Sequence, residues 1–166
     1  MYDVLIVDDE YYICEGLVSS IRKLNLPQIG QIRTCFCGEE ALSLCKTYKP
    51  QIVFTDIKMK EMNGIELIHA LGRILHPVQF FILSGYDDFE YVRGAFQKGA
   101  ADYLLKPILN EDLKKAVTTA CANLQNQAPV PEKKRSDSFH FSHEVFSKLP
   151  FLHSASQEKA FLEDLA

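Results

Sequence analysis

The sequence predicts a doubly wound α/β domain built on a five-stranded parallel sheet, and two patterns carry that prediction. Five short runs read as strands, and among them Val4–Val7 and Ile52–Phe54 are apolar throughout, without polar–apolar alternation, as in strands buried on both faces. Between them lie segments whose apolar residues recur at helical spacing, so strand and helix alternate along the chain. Pro27, Pro50, Pro77 and Gly85 fall between these segments, where turns are required.

Taken in order, Val4–Val7 is the first strand, followed at once by Asp8, Asp9 and Glu10. Three adjacent acids at a strand end repel one another and cost stability unless a cation compensates. Ile13, Leu17, Val18, Ile21 and Leu24 then share one helical face, with Pro27 as the stop. Ile32–Phe36 reads as the second strand. Gly38, Glu39 and Glu40 open a helix that turns Ala41, Leu42, Cys45 and Tyr48 inward, and Pro50 closes it. The third strand runs to Asp56, and a charged, turn-forming loop through Gly64 follows it. Ile65, Leu67, Ile68, Leu71, Ile74 and Leu75 mark the next helix, halted before Pro77. The fourth strand is Gln79–Ser84, and Asp87 and Asp88 open a helix carrying Phe89, Val92 and Phe96 that Gly99 ends. Asp102–Pro107 is the fifth strand. Asn110 is an N-cap for a last helix, with Glu111 and Asp112 in its first turn. Leu113, Ala116, Val117, Ala120 and Leu124 form its buried stripe.

This reading divides the 166 residues into a domain over 1–126, a linker over 127–138 rich in Pro and charge, and a helical interdomain segment over 139–166. The last segment, with Phe139, Phe141, Val145, Phe146 and Leu149, is too apolar for a linker and too short for its own core. Because the chain ends inside a helical pattern, it is expected to be cut from a longer protein. Residues 1–128 hold 13 Lys and Arg against 16 Asp and Glu, and residues 129–166 hold 5 against 6. Neither part has the basic excess of a nucleic-acid-binding surface, and Lys133–Arg135 reads as a solvated linker run. No apolar run approaches the roughly 20 residues of a membrane span, and Met1–Asp3 leads straight into a strand without a secretory leader. Cys14, Cys35, Cys37, Cys45 and Cys121 are an odd set, mostly within apolar patterns, and read as reduced thiols of a cytoplasmic protein. Neither Cys35-Phe36-Cys37 nor His140-x-x-His143 has the further ligands a transition-metal site needs.

Function is legible at the strand ends. The first strand ends on Asp8 and Asp9, the third on Asp56, the fourth on Ser84 and the fifth on Lys106. Open α/β sheets bind ligands outside the carboxyl ends of their strands. Asp56 alone could be a turn residue. Four of five strands ending in complementary phosphate chemistry point further. Gathered carboxylates favour a hard dication such as Mg²⁺, Lys106 supplies a point charge for a phosphate oxygen, and Ser84 a hydroxyl donor. The set suits Asp56 as a nucleophile toward an activated phosphoryl donor.

With Val7-Asp8-Asp9-Glu10, Asp56-Ile57-Lys58-Met59 through Met62-Asn63-Gly64, Leu83-Ser84-Gly85 and Tyr103-Leu104-Leu105-Lys106-Pro107 in place, residues 1 to about 126 resemble a receiver domain of two-component response regulators. The resemblance implies the flavodoxin-like (βα)5 fold with strand order 2-1-3-4-5, an order the family itself exemplifies. It implies that Asp56 takes a phosphoryl group from a sensor histidine kinase. Asp9, Asp56 and the Lys58 backbone carbonyl would ligate Mg²⁺, and Asp8 would bind it directly or through water. Ser84 would move onto the new phosphate, Tyr103 would turn inward behind it, and Lys106, before a cis Pro107, would pair with the phosphate. Such a protein catalyses at most its own phosphorylation and dephosphorylation, and a homodimer on phosphorylation is compatible with it. Two positions depart from the common pattern: Lys60 stands where Pro is frequent, and Gly85 where Ala is. The run Ser84–Tyr91 is similar to receivers that precede AraC-type DNA-binding output domains, which implies a transcriptional output beyond this chain. Lys58 and Tyr86, each two positions past a site residue, are further expected to flank the phosphoryl group and hinder attacking water.

Other readings are weaker. A Mg²⁺-dependent aspartyl-phosphate phosphatase typically carries an acid two residues after its nucleophile, where this chain has Lys58. A nucleotide-binding protein would carry a Gly-rich loop after the first strand, which is missing. A receiver-like interaction module that works without phosphate is opposed by the intact acids, Asp56 and Lys106.

Overall fold

In the computed structural model the described residues are 1–85 and 102–126. The helix expected over Asp87–Gly99, Tyr86, the linker and the tail lie outside them. Strands β1 (Tyr2–Val7), β2 (Ile29–Cys35), β3 (Ile52–Asp56), β4 (Gln79–Ser84) and β5 (Asp102–Leu105) form one parallel sheet in the order β2-β1-β3-β4-β5. Every residue of β3 and β4 is buried, as continuous apolar runs require of strands covered on both faces. The described helices are α1 (Tyr11–Lys23), α2 (Gly38–Leu44), α3 (Gly64–Leu71) and α4 (Asn110–Asn126).

The two faces of the sheet follow from strand alternation. Val4, Ile6, Ile52, Phe54, Phe81, Leu83 and Leu104 point to one side. There they pack with Cys14, Leu17, Val18 and Ile21 of α1 and Leu113, Ala116, Val117 and Leu124 of α4. The rings of Phe54 and Phe81 stack at 5.0 Å between centroids within this core. Helices α2 and α3 contact each other, and Phe80 lies near Gly72 at the end of α3.

Several boundaries differ from the sequence reading. Helix α1 ends before Pro27 because Asn25 adopts φ 48°, a left-handed conformation that Asn tolerates. Helix α2 stops at Leu44, well ahead of Pro50. The chain then turns so that the buried Tyr48 hydroxyl donates to the carbonyls of Val4 and Gln31, at 3.0 and 3.1 Å. Helix α3 ends at Leu71, so Ile74 falls off the buried face and is 44 % exposed, while Leu75 stays buried. Strand β2 begins at Ile29, three residues early, across a register shift between Tyr2 and Val4. Asp3 Oδ1 accepts from the Gln31 amide at 2.8 Å there, satisfying backbone that the shift leaves unpaired.

Register delivers the strand ends to one edge. Val7 pairs with Thr55, Asp56 with Leu83, and Ser84 with Leu105. The next residue of β1, Asp8, therefore arrives level with Asp56, and Lys106 follows one position beyond the level of Ser84, on neighbouring strands that lie about 4.8 Å apart.

Candidate functional site

Each side chain at this edge is fixed by the backbone beneath it. The Asp8 amide donates to the Cys35 carbonyl at 3.2 Å and the Lys106 amide to the Ser84 carbonyl at 2.8 Å, so both residues continue the ladder. Ile57 does the same toward Leu83 at 3.1 Å. Gly64 closes the loop after Asp56: its amide donates to the Ile57 carbonyl at 3.1 Å, and a Cβ there would overlap the Asp56 carbonyl oxygen. Asn63 then caps α3, accepting from Ile65 and Glu66 at 3.0 and 2.9 Å while Glu66 accepts from the Asn63 amide at 3.0 Å.

Lys106 lies among the acids. Its ammonium contacts Asp56 Oδ1, stands 2.7 Å from Asp8 Oδ2 and reaches Glu10 at 3.8 Å. This is the compensating cation that the Asp8-Asp9-Glu10 run requires. The second Asp56 oxygen, Oδ2, accepts from the Lys58 amide at 2.7 Å. Asp8 is fully buried; its Oδ1 accepts from the Glu10 amide at 2.9 Å, and Oδ2 faces the Lys106 ammonium. Burial pushes the Asp8 carboxyl above its usual pKa of 3.8, and neither Lys106 nor the Glu10 amide fully offsets it. Burial also opposes the Lys106 charge, but hydrogen bonds to and charges on Asp56 and Asp8 outweigh it and hold the ammonium above its ordinary pKa.

Ser84 is 1 % exposed, and its hydroxyl has no hydrogen-bond partner among the described residues. A buried polar atom left so is costly and calls for an explanation. Tyr103 pairs in register with Ile82, two residues before Ser84, so both project from the same sheet face; its ring is buried, which raises the phenol pKa to about 12. Asp9 is exposed. It lines a cleft of about 440 Å³ with Ile57, Lys58, Met59, Lys60, Glu61, Asn63 and Glu66.

Asp8, Asp56, Ser84 and Lys106 thus meet at one edge, with Asp9 and Lys58 at the adjoining cleft. No three His, Cys, Asp or Glu side chains converge into a metal cage among the described residues. The Lys106–Pro107 peptide bond is cis. Cys14, Cys35, Cys45 and Cys121 are buried free thiols. Sequence reasoning missed the Asn63–Glu66 capping box, whose Asn-x-x-Glu spacing is a direct signal. It also missed an exposed aromatic cluster beside the acids, where Tyr11 meets Tyr12 at 5.6 Å and Phe36 at 6.0 Å.

Comparison with known proteins decides the family. The response regulator receiver domain matches residues 4–118 of this chain. The chain belongs to the response regulator receiver family. The chain is 35 % identical over 147 residues to the uncharacterized transcriptional regulatory protein YesN of Bacillus subtilis (strain 168), covering 87 % of this chain and 38 % of that one. It is 34 % identical over 149 residues to the transcriptional regulatory protein HptR of Staphylococcus aureus (strain NCTC 8325 / PS 47), covering 90 % and 56 %. The chain therefore spans about half or less of the length of these curated relatives. Among solved structures, the receiver resembles the REC domain of AraT, a response regulator from Geobacillus stearothermophilus, with a TM-score of 0.68 and 32 % identity over 75 % of this chain and 95 % of that one. It also resembles a two-component transcriptional regulator AraC from Clostridium phytofermentans ISDg, with a TM-score of 0.66 and 30 % identity over 76 % and 100 %. The flavodoxin-like fold and its strand order agree with the sequence reading. No described helix is long and apolar enough to cross a membrane.

Proposed function

We propose that this receiver accepts a phosphoryl group on Asp56 from a phosphohistidine of a sensor histidine kinase and thereby controls a transcriptional output. The observation that carries the proposal is the setting of Asp56. One carboxylate oxygen is held by the Lys58 amide and the other by Lys106, with the Ser84 hydroxyl, which has no partner among the described residues, on the neighbouring strand end. In the transfer an Asp56 oxygen forms a bond to phosphorus as the phosphorus–nitrogen bond breaks, and the imidazole keeps the electron pair and takes a proton. Lys106 pairs with the incoming phosphoryl oxygens, and the Lys58 amide orients the attacking carboxylate.

The residues fit Mg²⁺. Asp8 presents a fully buried carboxylate whose Oδ2 is held only by the charge of Lys106 among the described residues, and Mg²⁺ takes few carboxylates plus water and phosphate rather than a side-chain cage. Asp8, Asp9, Asp56 and the Lys58 carbonyl would hold it, and when bound it neutralises charge on the transferring group. Ser84 and Tyr103 form the switch: the Ser84 hydroxyl gains a partner in the phosphate, which biases a two-state equilibrium that the buried Tyr103 reads. On this reading residues 1–126 are the receiver, 127–138 a linker and 139–166 an interdomain helix leading toward an AraC-type DNA-binding output. The relatives' designation as transcriptional regulators supports such an output. The protein works in the cytoplasm and turns over no separate substrate.

Reductive trapping tests the acceptor. Borohydride converts an aspartyl phosphate to homoserine, and peptide mass spectrometry after phosphorylation should find homoserine at position 56. Homoserine elsewhere, or none in a phosphorylated sample, contradicts the assignment.

A further inference from the structure

We propose that Met62, seated on Gly38, is a positioning residue that holds the loop after Asp56 so that the Lys58 amide meets the acceptor carboxylate. The inference rests on the reading of Asp56 as acceptor and adds a control point in α2 that touches neither Asp56 nor Lys106. The loop from Ile57 to Asn63 is tied to the sheet at its start, where the Ile57 amide reaches Leu83, and closed at its end by Gly64 on the Ile57 carbonyl. Between these ties runs the segment carrying Lys58, whose amide holds Asp56 Oδ2 at 2.7 Å. Lys60 stands in it without the fixed φ a proline would supply.

Two independent features constrain that segment. Glu61 has φ 61°, and the Met62 amide donates to the Lys60 carbonyl at 2.7 Å, a three-residue turn of the strained, positive-φ kind. Such a conformation in a residue with a Cβ persists only where the surroundings over-determine it. The second feature is what does so: a Cβ at Gly38 would lie 2.8 Å from Met62 Sδ and 3.0 Å from its Cβ and Cγ. Met62 therefore occupies the space that only glycine leaves at the first residue of α2. Gly38 itself needs no left-handed conformation, so alanine there disturbs Met62 rather than the helix, where alanine is the better former. Because Met62 must give way from its Cβ outward, the displacement passes to the loop backbone and to the Lys58 amide.

The test compares wild type, Gly38→Ala, Met62→Ala and the double variant by two readouts. One is the chemical shift and solvent exchange of the Lys58 amide without any donor; the other is the initial rate of phosphoryl uptake from acetyl phosphate with Mg²⁺. Gly38→Ala should shift the amide, speed its exchange and slow uptake about three- to tenfold, at a melting temperature no lower than wild type. Met62→Ala in the Gly38→Ala background should restore both readouts most of the way. An unchanged Lys58 amide in Gly38→Ala, or a double variant no closer to wild type, overturns the inference while leaving the acceptor reading intact. If wild type takes up no phosphoryl group, the acceptor reading fails and the amide arm still decides whether the seat positions the loop. If Gly38→Ala does not fold, Met62→Ala alone must exchange its Lys58 amide faster; unchanged exchange overturns the proposal.

Discussion

Replacing Asp8 with asparagine should stabilise the receiver. The carboxylate is fully buried beside Asp56, and its folded pKa is raised chiefly by burial. A raised folded value means that Asp8 contributes stability fully present below the unfolded value of 3.8 and lost as pH rises through the folded pKa. At pH 7 the ionised side chain is therefore a net cost despite Lys106 at 2.7 Å. Asparagine keeps the acceptor for the Glu10 amide and removes one of the acids around Lys106, which retains Asp56. Removing a buried carboxylate charge of this kind gives about 1 kcal/mol, or about 3–5 °C in melting temperature for a domain of this size. The assay is thermal melting of wild type and Asp8→Asn, without divalent ions, from pH 7 downward. The variant should melt higher at pH 7, and the gap should narrow as pH falls and close near 3.8. Adding Mg²⁺ at about ten times its Kd should raise wild type by about 1.4 kcal/mol and raise the variant less. A variant that melts at or below wild type at pH 7 would show that Lys106 fully compensates Asp8 and refute the reasoning.

Removing the cation should act in the opposite direction. Lys106→Met leaves Asp8 and Asp56 facing each other without a counter-charge and should cost about 2 kcal/mol, below the range for a fully buried pair because Lys106 is 19 % exposed; denaturant unfolding of the variant and of Asp8→Asn/Lys106→Met, which should recover part of the loss, checks this. Gly64→Ala places a methyl group against the Asp56 carbonyl and should cost about 1–3 kcal/mol and weaken phosphoryl uptake, measured by melting and intact mass. Thiol labelling at pH 8 should reach Cys37 well before the others, because Cys14, Cys35, Cys45 and Cys121 are buried and burial raises the Cys14 and Cys35 thiols to about 11 and 12; early labelling of Cys35 would contradict the burial.

The order of elements was legible because the central strands are runs such as Ile52–Phe54 that stay apolar on both faces, a signal that survives without any contact information, whereas the edge strand β2 carries Gln31, Arg33 and Thr34 and is only partly buried. The convergence of Asp8, Asp56, Ser84 and Lys106 was legible for the same reason: parallel strands must release their chains on one edge. Helix ends were less so. Pro27, Pro50 and Pro77 mark the last place a helix can stop, whereas Leu24, Cys45 and Gly72 are where the stops fall, set by tertiary demands such as the buried Tyr48 hydroxyl. Lys106 was read as a partner for phosphate, but its position between Asp8 and Asp56 depends on distances no spacing encodes. The seat of Met62 on Gly38 was equally hidden, because an absent Cβ has meaning only once a neighbour fills its place.

The most direct test of Asp56 as a Mg²⁺-dependent phospho-acceptor is intact-mass analysis after incubation with acetyl phosphate, with and without Mg²⁺, beside Asp56→Ala. The account predicts one added phosphoryl group in wild type with Mg²⁺, and none without the ion or in the variant. Equal uptake by Asp56→Ala, or no uptake by wild type at any Mg²⁺ concentration, would contradict it.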